Sequence, residues 1–118
     1  MNNEPMAPTF HPLRPVEFFV LSGLTDRDRH GYGLVEAIEQ RTLGKVRLRP
    51  GDLYRVLHRL QDRGLLEVAG RRPAEELEDQ RRTYYCLTTE GRRVLRQQAE
   101  VMASVAAGVL AETGSEVS

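Results

Sequence analysis

Apolar side chains recur along this chain with two different periods, and the clearest repeat lies in its middle. There the spacing is i, i+3, i+4, i+7, set by Leu53, Val56, Leu57 and Leu60. That spacing gives a helix one apolar stripe, and Pro50 suits the first turn, where a missing N–H costs nothing. The pattern predicts a helix from about Pro50 to Arg63 with one buried face, followed by a turn at Gly64.

Two further helices are predicted upstream of this one. Pro15 opens the first, which is apolar nearly all round: Val16, Phe18, Phe19, Val20, Leu21 and Leu24. A helix of that kind has to be buried on both sides, by its own domain and by a second subunit. The second helix runs from His30 or Gly31 to about Thr42, and within it we expect Tyr32 to point into the domain as a core aromatic.

Segments that alternate apolar and polar residues predict strands in three places. Residues 46–48 form a short single strand, residues 65–69 follow the third helix, and residues 82–87 form the last strand. The segment between the last two, residues 70–80, contains Pro and four acidic residues and is predicted to be a hairpin loop.

The last element repeats apolar residues seven positions apart. It runs from about Thr89 to Ala111, with Thr88 as its expected N-cap, and its repeat is formed by Leu95, Met102 and Val109, with Gln98 and Val105 at the intervening positions. A seven-residue repeat with no further element to pack on indicates association between helices. The alternative is a helix that folds back on its own domain.

Composition limits the size and the setting of the protein. A chain of 118 residues, 40% of them hydrophobic and 29% charged, holds one domain with a core and hardly two. No apolar run approaches a membrane span, and the first residues lack the pattern of a signal peptide. The single cysteine, Cys86, cannot form an internal disulfide, so we expect a packed thiol in the reducing cytoplasm.

Catalytic and metal chemistry find little support in the sequence. The three histidines, His11, His30 and His58, share no ligand spacing with Cys86, so no metal site is predicted. Neither a Ser/His/Asp constellation nor a carboxylate pair can be argued from the spacing. We therefore expect no enzyme activity and no cofactor. Residues 30–33, His-Gly-Tyr-Gly, lack the strand and the Lys-Ser/Thr of a phosphate loop and are assigned to a helix start.

Charge is unevenly placed although the formal net charge is zero. Between residues 45 and 72 only three acidic residues oppose eight basic ones: Lys45, Arg47, Arg49, Arg55, Arg59, Arg63, Arg71 and Arg72. Lys45 is the one lysine among the 17 basic residues of the chain. Arginine favours bidentate recognition of phosphate or guanine, so this cluster indicates a surface that binds nucleic acid.

The face of the third helix opposite its apolar stripe carries the candidate DNA contacts. These are Tyr54, Arg55, His58 and Arg59, with Arg49 at the helix start. Arg can bridge guanine O6 and N7 in a major groove, while Tyr and His reach phosphates or base edges. The shoulders of the hairpin add Arg71, Arg72, Arg81 and Arg82. One of the last two is alternatively a structural ion-pair partner, for example of the acidic loop.

The order helix, helix, short strand, helix, strand, strand, helix predicts a mainly α fold with a small β-hairpin wing. It is a winged helix-turn-helix followed by a C-terminal dimerisation helix. We assign a flexible N-terminal arm to residues 1–12, the DNA-binding domain to residues 13–88, the dimerisation helix to residues 89–112 and a flexible tail to residues 113–118.

The chain resembles the PadR-like transcriptional regulators over residues 14–95. The matching segments, in order, are His30–Gly33, Pro50–Leu60, Gly64–Leu66, Arg81–Thr88 and Glu90–Gly91. The resemblance implies a homodimeric bacterial repressor whose third helix enters the major groove and whose wing touches the adjacent backbone. Arg49 and Asp52 depart from the pattern, because members often have Ser or Thr there; Arg49 removes the expected N-cap.

These observations predict a dimeric repressor that binds an inverted-repeat operator in double-stranded DNA. The first and last helices would form the dimer interface through Phe18, Phe19, Leu95, Met102, Val105 and Val109. The alternative is a winged-helix protein-interaction module without sequence-specific DNA binding, which the acidic wing tip and the zero net charge favour. An unidentified small-molecule effector is a further partner to consider, since Phe18 and Phe19 could line a pocket.

Overall fold

The computed structural model describes residues 12–73 and 81–114, with the backbone alone for residues 71–73 and 81. The elements in chain order are helix α1 Pro15–Ser22, strand β1 Arg29–His30, helix α2 Gly31–Arg41, helix α3 Pro50–Asp62, strand β2 Leu66–Pro73, strand β3 Arg81–Leu87 and helix α4 Thr89–Gly114. This confirms the mainly α winged helix-turn-helix fold. The predicted arm lies outside the described residues except for its last residue, as does the end of the predicted tail.

The core forms where α1, α2 and α3 pack together. The apolar stripe of α3 is completely buried, as its spacing predicted, and it meets Val20 and Leu21 of α1 and Leu34 and Ile38 of α2. Each of these side chains contributes about 1.5–3 kcal/mol by leaving water. The orientation of α3 is therefore fixed from within, and its opposite face is left to the solvent.

The end of α3 is joined to the start of α4 through Thr88 and two glycines. Gly64 takes the left-handed conformation, φ 74°, and lets the Leu65 N–H reach the Leu60 carbonyl at 3.0 Å, a common way to close a helix. The Thr88 hydroxyl donates to the Gly64 carbonyl at 2.6 Å and accepts the Gly91 N–H at 2.9 Å, which confirms the predicted N-cap. A Cβ at Gly91 would lie 1.8 Å from the Leu65 carbonyl oxygen, so only glycine fits there.

The sheet has the order β1-β3-β2, and both pairs are antiparallel. The prediction of a strand at residues 46–48 was wrong: that segment is irregular, and Arg29–His30 pairs with Tyr84 and Tyr85 instead. Val46 and Leu48 are half-buried against the core, so their alternation reflects packing of a connection. The β2–β3 pairing extends to Pro73 and Arg81, beyond the predicted strand ends, and the rest of the predicted loop lies outside the described residues.

Helix α4 has two parts with different surroundings. Leu95 and Gln98 are buried in its first part, where the Gln98 side chain accepts the Leu13 N–H at 2.8 Å and donates to the Leu13 carbonyl at 3.1 Å. From Ala99 to Gly114 the residues are exposed, except Gly108, which is half-buried. The helix continues to Gly114, past its predicted end. Folding back on the own domain therefore holds for the first part only.

None of the helices described is long and apolar enough to cross a membrane.

Candidate nucleic-acid interface

The outer face of α3 presents three of the predicted DNA contacts to solvent. Tyr54, Arg55 and His58 are exposed, and the Arg55 side chain retains 71% of its accessible surface. Arg55 forms an ion pair with Asp52 one turn earlier. An exposed pair of this kind contributes little to stability, so the guanidinium can exchange Asp52 for another acceptor.

The start of α3 lacks a side-chain cap. Arg49 occupies the N-cap position in an extended conformation without a side-chain hydrogen bond to the helix, and Pro50 follows as the first helical residue. Asp52 supplies the negative charge in the first turn, which suits the positive end of the helix dipole. Arg49 is exposed and has no capping role. The carboxylate of Asp52 in the first turn repels phosphate.

Tyr32 was predicted to be a core aromatic, and this prediction was wrong. Its side chain is 58% exposed, because it stands two residues before the buried Leu34, about 200° away around the helix. Tyr32 and Tyr54 line one depression of about 300 Å³ together with residues of β1 and β3. A Cβ at Gly31 would lie 2.6 Å from the Tyr54 hydroxyl, so the small residue lets Tyr54 lie against the start of α2. Tyr32 thereby joins the surface that Tyr54 belongs to.

The wing contributes Arg82 to the edge of the same depression. Arg82 Nη1 lies 2.8 Å from His30 Nε2, while His30 Nδ1 accepts the Gly33 N–H at 3.1 Å. A neutral imidazole has only one acceptor nitrogen, so it satisfies one of these donors at a time. Arg82 does have a structural partner, as the sequence allowed, but that partner is His30. Arg71, Arg72 and Arg81 lie on paired backbone, with Arg72 opposite Arg82.

Arg59 has a different environment from the one predicted for it. Its Nε donates to Glu17 Oε2 at 3.2 Å, and Arg63 Nη1 lies 3.4 Å from Glu17 Oε1. Glu17 is only 3% exposed, and its Oε1 also accepts the Arg14 N–H at 2.9 Å. Burial opposes its charged form, but the Arg14 N–H and the two arginines outweigh burial and lower the pKa of Glu17. Sequence reasoning missed Glu17, a single acid in an apolar helix.

The predicted dimer residues fall into two groups. Phe18, Phe19 and Leu95 line an apolar groove of about 310 Å³ between α1 and α4, whereas Met102, Val105 and Val109 stand exposed on the second part of α4. Leu95 was predicted at the interface, but it is buried within the chain, because the first part of α4 packs on α1. Only an edge of Leu95 is left for a partner.

The described residues offer no group of three or more His, Cys, Asp or Glu that could hold a metal ion. Cys86 is half-buried, and burial, reinforced by Asp28 and Glu67, raises the pKa of its thiol. A thiol with a raised pKa is a poor nucleophile, which agrees with a packing role.

The fold and this outer face define a winged helix-turn-helix protein with an Arg- and Tyr-bearing third helix. Residues 20–97 match the sequence model of the transcriptional regulator PadR-like family, and the chain belongs to that family.

Similar proteins agree with this assignment. A PadR family transcriptional regulator from Eggerthella lenta is 29% identical, with a TM-score of 0.62 over 80% of this chain and 77% of that one. A transcriptional regulator from Clostridium thermocellum is 26% identical, with a TM-score of 0.63 over 80% and 85%. Bacillus subtilis PadR in complex with operator DNA is 18% identical, with a TM-score of 0.62 over 71% and 46%, and shares the fold.

A protein in transposon TN4556 of Streptomyces fradiae is 40% identical over 93 residues, which are 79% of this chain. The chain spans about a quarter of the length of that 37.1 kDa relative, 24%.

Proposed function

We propose that the chain is a homodimeric repressor that binds an inverted-repeat operator. The observation that carries the proposal is the division of α3 into two faces: an apolar stripe fully buried in the domain and an opposite face with Tyr54, Arg55 and His58 exposed. Membership of the PadR-like family supports it, as does the fold shared with a PadR protein that was solved with operator DNA.

In this proposal α3 enters the major groove. Arg55 exchanges Asp52 for guanine O6 and N7, while Tyr54 and His58 reach base edges or phosphates. Tyr32 and Arg82, which line the depression beside Tyr54, approach the flanking backbone. Arg49 at the helix start and Arg71, Arg72 and Arg81 on the wing add phosphate contacts.

The homodimer is proposed from the unpacked second part of α4. Its exposed apolar residues, Met102, Val105 and Val109, follow the spacing of a helix that packs on another helix. The groove beside Phe18 and Phe19 is continuous with this stripe through Leu95 and Ala99. Two-fold symmetry would then set two α3 helices about 34–36 Å apart, one turn of DNA. The same groove is where we would look for an unidentified small-molecule effector.

The test is a mobility-shift titration with the DNA upstream of the protein's own gene. We expect Arg55→Ala to weaken operator binding by about 1–3 kcal/mol. Arg27→Ala is the matched control, because the Arg27 side chain is equally exposed, at 71%, and pairs with an aspartate on the α1–β1 connection. Equal losses in both variants, or none in either, would contradict the assignment of α3 as the reading helix.

The second candidate is a protein-interaction module without sequence-specific DNA binding. The observation in its favour is the zero net charge of the chain. Because phosphate contacts strengthen at low salt, wild-type protein that fails to shift DNA at low salt would favour this candidate. We propose a cytoplasmic location and no catalytic activity under either candidate.

A further inference from the structure

Glu17 connects α1 to the C-terminal end of α3 through two arginines. Its carboxylate is buried and contacts Arg59 Nε at 3.2 Å and Arg63 Nη1 at 3.4 Å. Arg63 caps the end of α3 and Arg59 lies in the last turn. Both arginines belong to the basic cluster of the sequence, yet the structure directs them to an acid on another helix.

The two arginines differ from Arg55 in what they would lose by moving to DNA. Arg55 is paired with an exposed aspartate, so a phosphate or a base can replace that partner at little cost. If Arg59 or Arg63 left Glu17, it would leave a buried carboxylate without one of its cations. Loss of part of the compensation of a buried charge is unfavourable. Although the two arginine side chains keep 41% and 40% of their surface exposed, we therefore expect their pairing with Glu17 to outcompete an exposed phosphate.

Glu17 is itself held in place by neighbouring hydrogen bonds. Its Oε1 accepts the Arg14 N–H at 2.9 Å. The preceding residue, Leu13, is bound through its N–H and its carbonyl by the buried amide of Gln98 on α4. The carboxylate thus has a fixed position in the domain, and Arg59 and Arg63 must come to it.

We propose that Glu17 is a positioning residue that withholds Arg59 and Arg63 from the DNA phosphates and so limits sequence-independent binding. The inference rests on the proposed DNA-binding function. Phosphate contacts strengthen binding to all sequences alike, whereas specificity is the ratio of operator to unrelated DNA. By removing two cations from the phosphate-binding surface, Glu17 raises that ratio without touching DNA.

The test compares wild type with Glu17→Gln on a short duplex of unrelated sequence over a series of salt concentrations. Glutamine keeps the size of the side chain and removes its charge. We expect tighter binding to unrelated DNA, on the order of tenfold at low salt, and a slope of log K against log salt that is steeper by about 1–2, since each phosphate contact contributes about 0.9. A slope and an affinity equal to those of wild type would overturn the proposal.

Glu90→Gln is the matched control, because it also removes one carboxylate and releases an arginine. Glu90 accepts from Arg93 at 3.0 and 2.7 Å in the first turn of α4. Its variant should reproduce only the small effect of one added net positive charge. If Glu90→Gln steepened the slope as much as Glu17→Gln does, the effect would come from net charge, and the role of Glu17 would be refuted.

The cause is isolated by adding Arg59→Gln and Arg63→Gln to Glu17→Gln. The gain in affinity for unrelated DNA should then disappear, because the released arginines are its source. A gain that persists in the triple variant would contradict the mechanism. A merely structural role of Glu17 predicts loss of binding to both duplexes, and that result would also overturn the proposal.

A single arginine variant tests the proposal if Glu17→Gln does not fold. In the wild-type background Arg63→Gln should leave the slope unchanged, whereas Arg49→Gln, at a proposed phosphate contact, should lower it by about 0.9. A slope lowered by Arg63→Gln as much as by Arg49→Gln would show that Arg63 reaches phosphate and would refute the inference. The operator duplex, measured in parallel, tests the proposed function separately: wild type without operator preference refutes operator reading, while the slopes on unrelated DNA still decide the role of Glu17.

Discussion

Helices α3 and α4 both carry an apolar stripe, but only the stripe of α3 is completely buried within the chain. Leu57 in the stripe of α3 is 1% exposed, whereas Val105 in the stripe of α4 is 55% exposed. The stripe of α3 packs on α1 and α2, and the stripe of α4 leaves the domain after Gln98. A helix whose apolar stripe is buried presents a polar face that can bind a ligand. A helix whose apolar stripe is exposed presents an apolar face that can bind another helix.

The difference also changes how exposed residues are interpreted. On α3, the exposure of Arg55 is informative because the aliphatic side chains of that helix are already buried. On α4, the exposure of Val105 and Met102 is informative because monomeric domains rarely expose a row of apolar side chains, and such a row marks a site of association. We therefore assign DNA reading to the polar face of α3 and self-association to the apolar face of α4.

The largest effect expected is on the buried stripe of α3. Leu57→Ala should lower the free energy of unfolding by about 2–5 kcal/mol, since a large side chain is deleted from a packed core. Urea unfolding monitored by circular dichroism measures the change. Leu110→Ala is the matched variant on α4 and should change the free energy of unfolding far less. Leu110 is 70% exposed, so similar losses for the two leucines would contradict the contrast between the buried stripe of α3 and the exposed second part of α4.

The next effect concerns the stripe of α4. Val105→Glu introduces a charge into the proposed dimer interface and should weaken dimerisation by about 3 kcal/mol, which is on the order of 100-fold in the dissociation constant. Sedimentation at several protein concentrations gives that constant. Ser104→Glu adds the same charge on the other side of the helix and should leave the dimer intact. A dimer that tolerates Val105→Glu and not Ser104→Glu would move the interface to the other face.

The smallest effect separates the ion pairs of the two helices by pH. The pKa of Glu17 is lowered in the folded state from its ordinary value of 4.5. The pairing therefore stabilises the folded protein fully at pH values above that ordinary pKa, and the stabilisation is lost as the pH falls through the lower pKa of the folded state. Glu17→Gln should therefore flatten the acid side of the stability profile. Glu90 also has a lowered pKa through Arg93, but its pair is exposed, and Glu90→Gln should change the profile less. Urea unfolding midpoints of both variants, measured from about pH 3 to about pH 7, give the two profiles. A larger change for Glu90→Gln than for Glu17→Gln would contradict the distinction between the buried and the exposed ion pair.

Sequence patterns predicted those features whose causes are local. The apolar stripe of α3 repeats within four turns or fewer. The helix begins at Pro50 and is closed by Gly64, so its bounds follow from neighbouring residues. Thr88 was found as a cap for the same reason, because its hydroxyl serves the Gly91 N–H three residues on. The exposed face of α3 then follows from helix geometry.

The features that sequence reasoning missed depend on distant partners. Glu17 meets arginines 42 and 46 residues further along the chain, and no periodic pattern predicts that a lone acid in an apolar helix is buried by them. The strand at Arg29–His30 has two residues, too few to show alternation. Leu95 continues the repeat of α4 although it belongs to the core, because a seven-residue repeat does not record where a helix leaves its domain.

Helix α4 fixes an angle as well as a contact. It is 26 residues long, about 39 Å at 1.5 Å per residue, and Gln98 anchors its first part to Leu13. Each residue turns a helix by about 100°. The direction of Val105 around the helix axis, relative to Gln98, therefore follows from the number of residues between them. One residue inserted after Gln98 would rotate the association face by more than a quarter turn while leaving each domain intact. In a two-fold assembly, the length of that segment would set the phase at which the two α3 helices meet the DNA.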